Sequence, residues 1–474
     1  MSATKLEFFS RSLKKWNDTG GFKEILILAF PLIVSTGAWS IQHFVDRMFL
    51  AWYSSEAIAA SMPAGMTNLL FMSVFMGTAS FCETFVAQYF GARRYDRIGA
   101  VIWQGIYLGA IGGLFHLGIM PLAGPIFTMV GHQQIVRTNE IVYFRLLCLG
   151  AGPAIATGAM SGFFAGLGKP GPIMVVTLFQ TGVNIGLDYC MIFGRLGFPE
   201  MGIKGAALAT VISGYLAFLL MTLLVMQKHN DLVYGTIKNW KFDMHLFSRI
   251  LPFGLPNGIQ GLVDLAGFAI FILFLGRLGI IPLAATNIAF NINTLAFMPM
   301  AGIGIAVSVL VGQNLGRNRP DIAERSAWSG FTLVFVYMAA IALLYVTVPG
   351  LFINPFAARA HPSDFEPIRR TAVILLRFVA FYSLFDGMNI TFASALRGAG
   401  DTRFTMNAML ILSICVLIIP SWIFLIVLKK NLYVAWTIAT VYVILLALFF
   451  LFRFLKGRWK QMRVIEPVPM GIIE

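Results

Sequence analysis

The sequence predicts an all-α integral membrane protein with twelve transmembrane helices in two pseudo-symmetric six-helix bundles. Composition, the spacing of apolar runs and an internal repeat carry that prediction. Hydrophobic residues make up 58% of the 474 residues and charged ones 12%, and mean hydropathy is +0.79. That is far more apolar than a soluble chain. Apolar runs long enough to cross about 30 Å of hydrocarbon as a helix recur along the whole length. The ~10-residue alternation of an outer-membrane strand is absent.

The runs place spans near 24–50, 58–82, 100–129, 138–165, 171–194, 203–227, 249–279, 283–311, 327–353, 370–396, 404–428 and 432–456. Residues 1–23 carry five basic side chains and no cleavage site after a short apolar core, so they are expected to remain as a cytoplasmic arm. Within that arm LEFFSRSLKKW has two readings, a surface amphipathic helix and a disordered tail. The first lobe then covers 24–230, a polar basic linker 231–248, the second lobe 249–456 and a cytoplasmic tail 457–474. With the amino terminus inside, most of the 35 basic residues fall in the terminal arms and even-numbered loops. Both ends are therefore predicted to be cytoplasmic.

The net charge of +14 follows from this bias, as do the clusters GARRYDR and KGRWKQMR. The expected partner of the chain's surface is the lipid bilayer, and nucleic acid is not expected. Cys82, Cys148, Cys190 and Cys415 lie in apolar runs without paired spacing, which predicts neither a disulfide nor a metal site.

An offset of 225 residues brings VAQYFGARRYD at 86 onto VGQNLGRNRPD at 311 without a gap, pairing Val86 with Val311, Gln88 with Gln313, Gly91 with Gly316, Arg94 with Arg319 and Asp96 with Asp321. The same register pairs Pro31 with Pro256, Leu50 with Leu275, Ala60 with Ala285, Asn68 with Asn293 and Gly77 with Gly302. A second pair, AGLGKPGPIM and RGAGDTRFTM, follows the fourth and tenth spans. This is a duplication. Its even number of spans gives both halves the same orientation, an arrangement suited to alternating access.

A carboxylate in hydrocarbon is costly, so each intramembrane acid is a functional hypothesis. Asp46, Asp188, Asp264 and Asp386 lie well inside spans. On the first span Ser35, Trp39, Gln42 and Asp46 share a face, and on the fifth Thr181, Asn184 and Asp188 do, with Thr210 on the sixth span able to complete a pocket. On the seventh, Asn257, Gln260 and Asp264 form a stripe; on the eighth, Asn287, Asn291 and Thr294; on the tenth, Tyr382, Asp386 and Asn389. Phe381 and Phe385 flank the last stripe, and together with Gln42, Asn257, Gln260, Asn287, Asn291 and Asn389 they are the candidates for lining a substrate cavity. Carboxylates, amides and a phenol suit a hard cation such as sodium or an exchangeable proton. The alternative is that these polar groups serve as interhelical hydrogen bonds. Arg47 falls about 100° from Asp46 and is expected to anchor at the outer interface. Arg145 and Arg377 read as snorkelling or pairing at span ends.

The segments FPLIVSTGAWSIQHFVD, GLPNGIQGLVD, VGQNLGRNRPDIAE and FDGMNITFASALRGAGDTR resemble the multidrug and toxic compound extrusion (MATE) family, in its NorM-like bacterial branch. The resemblance covers about 24–455. It implies a V-shaped central cleft and export of cationic or amphipathic drugs in exchange for Na+ or H+. It places the chain in the bacterial inner membrane. It also implies a coupling-ion site at Asp264, Asp386 and Tyr382, where Asp264 stands in place of the glutamate usual in that branch. A cation pocket of the first lobe maps to Asp46, Asn184, Asp188 and Thr210.

The expected function is therefore a secondary antiporter, with no cofactor beyond the coupling ion and with one chain acting as a monomer. The favoured ion site is the first lobe, because its whole set is present. A flippase for lipid-linked oligosaccharide or another amphiphile is the alternative, and it would be expected to show a strongly cationic cavity. A channel or scaffold fits the duplication poorly. No HExxH, GxSxG or Walker A pattern occurs, which argues against an enzyme or a direct use of ATP.

Overall fold

The computed structural model describes residues 16–357 and 362–466. Among them, twelve helices are long and apolar enough to cross a membrane: α1 Phe22–Tyr53, α2 Ser55–Gly91, α3 Tyr95–Val130, α4 Gln134–Gly166, α5 Gly171–Phe193, α6 Ile203–Val225, α7 Met244–Gly276, α8 Ile280–Gly316, α9 Pro320–Thr347, α10 Phe365–Ala399, α11 Thr402–Val427 and α12 Leu432–Leu455. No strand occurs among the described residues. Of LEFFSRSLKKW, only Trp16 lies within them, and the tail from 467 lies outside.

Several helices run past the predicted ends. Apolarity marks the stretch that fits hydrocarbon, whereas the backbone ladder continues into polar sequence. VAQYFGARRYD is thus the last turn of α2 and its corner, and α8 carries through VGQNLG to Gly316. The ninth span instead stops at Thr347, and Pro349 opens a separate short helix, Pro349–Ala357. Pro31, Pro256 and Pro299 all lie inside continuous helices. α11 contains two π segments, Ser413–Ile418 and Trp422–Val427, on either side of Pro420.

The helices fall into two compact units. Among the described residues, the first holds Val34–Leu262, Gly316–Asn318 and 463–466; the second holds those up to Ile33, Val263–Leu315, 319–357 and 362–462. In the first, α4 packs on α2, α3 and α6, and α5 on α6; in the second, α10 packs on α9 and α12. The two polar corners match atom by atom. Arg93 and Asn318, at the offset of 225, both adopt left-handed backbone, with φ of 59° and 58°. The Arg94 and Arg319 amides donate back to the Tyr89 and Asn314 carbonyls at 3.0 and 2.8 Å. The second motif pair behaves likewise: Gly168 and Gly400 have φ of 75° and 94°. The following amides, Lys169 and Asp401, donate to Phe164 and Leu396, each at 2.9 Å.

In a bilayer, helix association rests on close packing of small residues and on hydrogen bonds. α3 supplies Gly105, Gly109 and Gly113 along one face, and α4 meets them with Ala159, Ala156 and Gly152. A Cβ added at Gly109 would come within 2.8 Å of the Ala156 Cβ and 2.9 Å of its backbone nitrogen, whereas one at Gly118 would meet nothing. Gly109→Val is therefore expected to destabilise the protein by roughly 1–3 kcal/mol. Gly118→Val should be close to neutral, and thermal unfolding in detergent compares the two.

Candidate functional site: two carboxylate pairs

In the first unit, α1 and α5 meet through Thr181, whose hydroxyl donates to the Ala38 carbonyl at 3.4 Å. Further along the same two helices the Asp46 and Asp188 carboxyls come close enough to interact directly. Asp46 is 6% exposed, Asp188 and Asn184 fully buried, and Gln42 buried one turn before Asp46. Asp46 Oδ1, both Asp188 oxygens and both Asn184 amide atoms have no hydrogen-bond partner. Buried polar atoms are almost always paired, and two adjacent carboxylates repel strongly where the dielectric is low. A cation or a shared proton relieves both penalties. The site is thus chemically suited to one hard cation, with Asn184 supplying a neutral oxygen.

Thr210 is half-buried on α6, which packs on α5, and its hydroxyl donates to the Ala206 carbonyl at 3.0 Å. Arg47 is exposed while Asp46 is buried, so the two consecutive charges part as their helical angle requires. Arg145 and Arg377 are exposed as well. The sequence reading missed Tyr143 on α4, which is buried and within electrostatic reach of both Asp46 and Asp188. A phenol in an apolar run, one of 13 tyrosines, was its only signal.

The second unit holds another pair built differently. Asp264 on α7 and Asp386 on α10 interact, but Asp264 is exposed and Asp386 half-buried. The Asn389 amide donates to Asp386 Oδ1 at 3.3 Å. Tyr382 is buried one turn before Asp386, in an aromatic group with Trp436. Tyr442 on α12, also missed, lies in reach of both acids. Phe381 is 55% exposed with its ring 5.6 Å from that of Phe385. Asn287 and Asn291 lie on an accessible face of α8, the Asn291 amide donating to the Asn287 carbonyl at 2.8 Å.

Two residues of the α7 stripe belong to the first unit. Gln260 is half-buried there. Asn257 donates to the Gly77 carbonyl of α2 at 2.7 Å, beside a close approach in which a Cβ on Gly77 would come within 2.6 Å of the Gly258 Cα. For Asn257 the interhelical hydrogen bond is the observed role. Among the described residues no group of three or more His, Cys, Asp or Glu side chains converges on one point.

The MatE family model matches residues 31–190 and again 256–423, two stretches that start 225 residues apart and together cover more than half of the chain. The chain belongs to the MatE family. It is a membrane transporter and not an enzyme. Similar proteins include the probable multidrug resistance protein NorM of Mesorhizobium japonicum, 28% identical over 388 residues covering 80% of this chain and 82% of that one. The Thermotoga maritima protein of the same name is 25% identical over 448 residues, 94% of each, and the multidrug resistance protein PmpM of Pseudomonas aeruginosa is 28% identical over 389 residues, 81% of this chain and 80% of PmpM. Among solved structures, the outward-facing conformation of a multidrug resistance MATE family transporter of the MOP superfamily superposes with a TM-score of 0.85 at 18% identity, over 95% of this MatE chain and 98% of that one. A MOP superfamily transporter from Pyrococcus furiosus, described as having a binding pocket of reverse polarity that suggests a different function, gives 0.84 at 19%, over 95% and 98%.

Replacing Asn257 by alanine removes a helix–helix bond and is expected to lower stability by roughly 0.6 kcal/mol, up to about 1.7. Asn287→Ala should leave stability unchanged, and paired denaturation curves test the contrast.

Proposed function

We propose that this MatE protein is a secondary antiporter of the bacterial inner membrane, with both termini cytoplasmic and one chain sufficient. It exports cationic or amphipathic organic compounds in exchange for Na+ or H+. The observation that carries the reading is the enclosed Asp46–Asp188 pair with its unpartnered oxygens. A cation or proton entering from outside neutralises the pair, and Asn184 and Thr210 are the proposed additional ligands. Because the two conformational states differ in affinity for that ion, its gradient shifts their populations, and the drug leaves with the change. The names of the NorM and PmpM relatives support a multidrug substrate range.

The Asp264–Asp386–Tyr382 group is the proposed second cation site. Its accessibility suits contact with an organic cation or with water, next to the exposed ring of Phe381. Gln42 and Gln260 in the first unit, and separately Asn287, Asn291, Phe385 and Asn389 in the second, are proposed to contact substrate. Polar atoms with loose aromatic contact favour cationic amphiphiles. A flippase of lipid-linked oligosaccharide shares this fold class, but it needs basic side chains to meet a pyrophosphate. Arg47, Arg145 and Arg377 are all exposed while Asp46 and Asp188 are buried, which supports the cation reading.

Reconstituted in liposomes with a fluorescent cationic dye, the protein is expected to move dye under an imposed Na+ or pH gradient. Asp46→Asn and Asp188→Asn should each abolish that movement with thermal stability retained. Normal efflux from Asp46→Asn under a matched gradient would remove the assignment, and dye movement under neither gradient would remove the antiporter reading.

A further inference from the structure

We propose that residues 463–466 form a releasable clasp, docked in the first unit and tied by a short tether to the second, that must undock as the transporter changes state. This inference rests on the alternating-access reading above. The second unit holds the chain just after α12. Trp459 is fully buried, its indole nitrogen donates to the Phe454 carbonyl at 2.8 Å, and its ring stacks on that of Phe454 with centroids 4.8 Å apart. Lys460 pairs with Glu324 of α9 at 2.7 Å.

Residues 463–466, which follow directly, belong to the first unit. Val464 is fully buried, its amide donates to the buried Gln88 Oε1 at 2.8 Å, and its carbonyl accepts from Arg249 Nε at 2.5 Å. Ile465 is buried. Glu466 Oε2 accepts from the Tyr89 hydroxyl at 2.6 Å and pairs with Arg94 at 3.3 Å, while Arg97 lies 3.8 Å from its other oxygen and also pairs with Asp243 at 3.4 Å. The end of α2, the corner after it and the starts of α3 and α7 thus converge on Val464 and Glu466.

Two firm anchors, Trp459 and Val464, are only five residues apart, a tether of at most about 18 Å when fully extended. A rearrangement that draws the anchors further apart must break one of them. Trp459 is buried among large aromatic rings, whereas the Glu466 pairs are part-exposed, with side-chain exposures of 27% and 21% for Arg94 and Glu466. The Glu466 end is the one built to let go. Burial alone would raise its carboxyl, yet the Tyr89 hydroxyl, the backbone and the Arg249 and Arg94 guanidiniums hold it below its usual value. Its contribution is therefore complete above the ordinary carboxylate range and fades only as pH falls through that lowered value. The clasp stays charged at neutral pH.

The test uses the full chain with its four native cysteines replaced by alanine and Val464→Cys added. A charged maleimide should label this thiol slowly, and Glu466→Gln should speed labelling by roughly 10-fold or more, since it leaves the buried Tyr89 and the part-exposed Arg94 and Arg97 with a weaker acceptor. Supplying dye with an ion gradient should also speed it. Fast labelling in the parent, or no response to Glu466→Gln and to dye with gradient, would overturn the proposal. In a second protein, Gln88→Cys with Val464→Cys is bridged by a short cleavable bifunctional thiol reagent. Bridging should stop dye transport and cleavage should restore it, whereas full-rate transport while bridged overturns the need for release. If unbridged protein moves no dye under any gradient while labelling responds as expected, the transport reading fails and the clasp stands.

Discussion

Inside hydrocarbon no water is available to a backbone amide, so every N–H and C=O must find its partner within the chain. That constraint accounts for the twelve long helices, for helices that stay continuous through Pro31, Pro256 and Pro299, and for π segments beside Pro420. It also removes the hydrophobic effect as a reason for one helix to touch another. Association then depends on surfaces that fit, and the Gly105–Gly109–Gly113 face of α3 against Ala159, Ala156 and Gly152 of α4 is such a surface. The Asn257 amide on the Gly77 carbonyl adds a directional bond where α2 and α7 approach closely.

In the same medium a charge is expensive, which makes its placement informative. The protein keeps one carboxylate pair enclosed, Asp46 with Asp188, and leaves the other, Asp264 with Asp386, accessible. The enclosed pair has oxygens without partners and a phenol, Tyr143, nearby. The accessible pair is already held in part by Asn389, and Tyr442 lies in electrostatic reach of both acids. Similar chemical groups in unlike surroundings are the reason we propose ion coupling for one and contact with an organic cation for the other.

Duplication explains why the two halves share backbone detail so closely, down to the left-handed residues Arg93 and Asn318 and the glycines Gly168 and Gly400. These corners close helices at the membrane edge, where a fixed turn is needed in both copies. Side chains between them were free to diverge. The tail adds an element outside the repeat, since Glu466 draws together Tyr89 at the end of α2, Arg94 in the corner after it and Arg97 at the start of α3.

Sequence alone determined the helical class, the twelve spans and the repeat, because each is a local consequence of apolar length and of register. It also determined that Asp46 and Arg47 face apart, since successive helical residues must. Periodicity put Asn184 beside Asp188 and Asn389 beside Asp386 for the same reason. Tertiary structure alone decided that Asp46 meets Asp188 across two helices, that Tyr143 and Tyr442 stand next to the acids, and that Asn257 is engaged by a glycine carbonyl. Nor does any local pattern in the tail announce that Glu466 docks 377 residues away, on Tyr89. A helix face is written in spacing along the chain, whereas the partner that covers it depends on how distant helices pack.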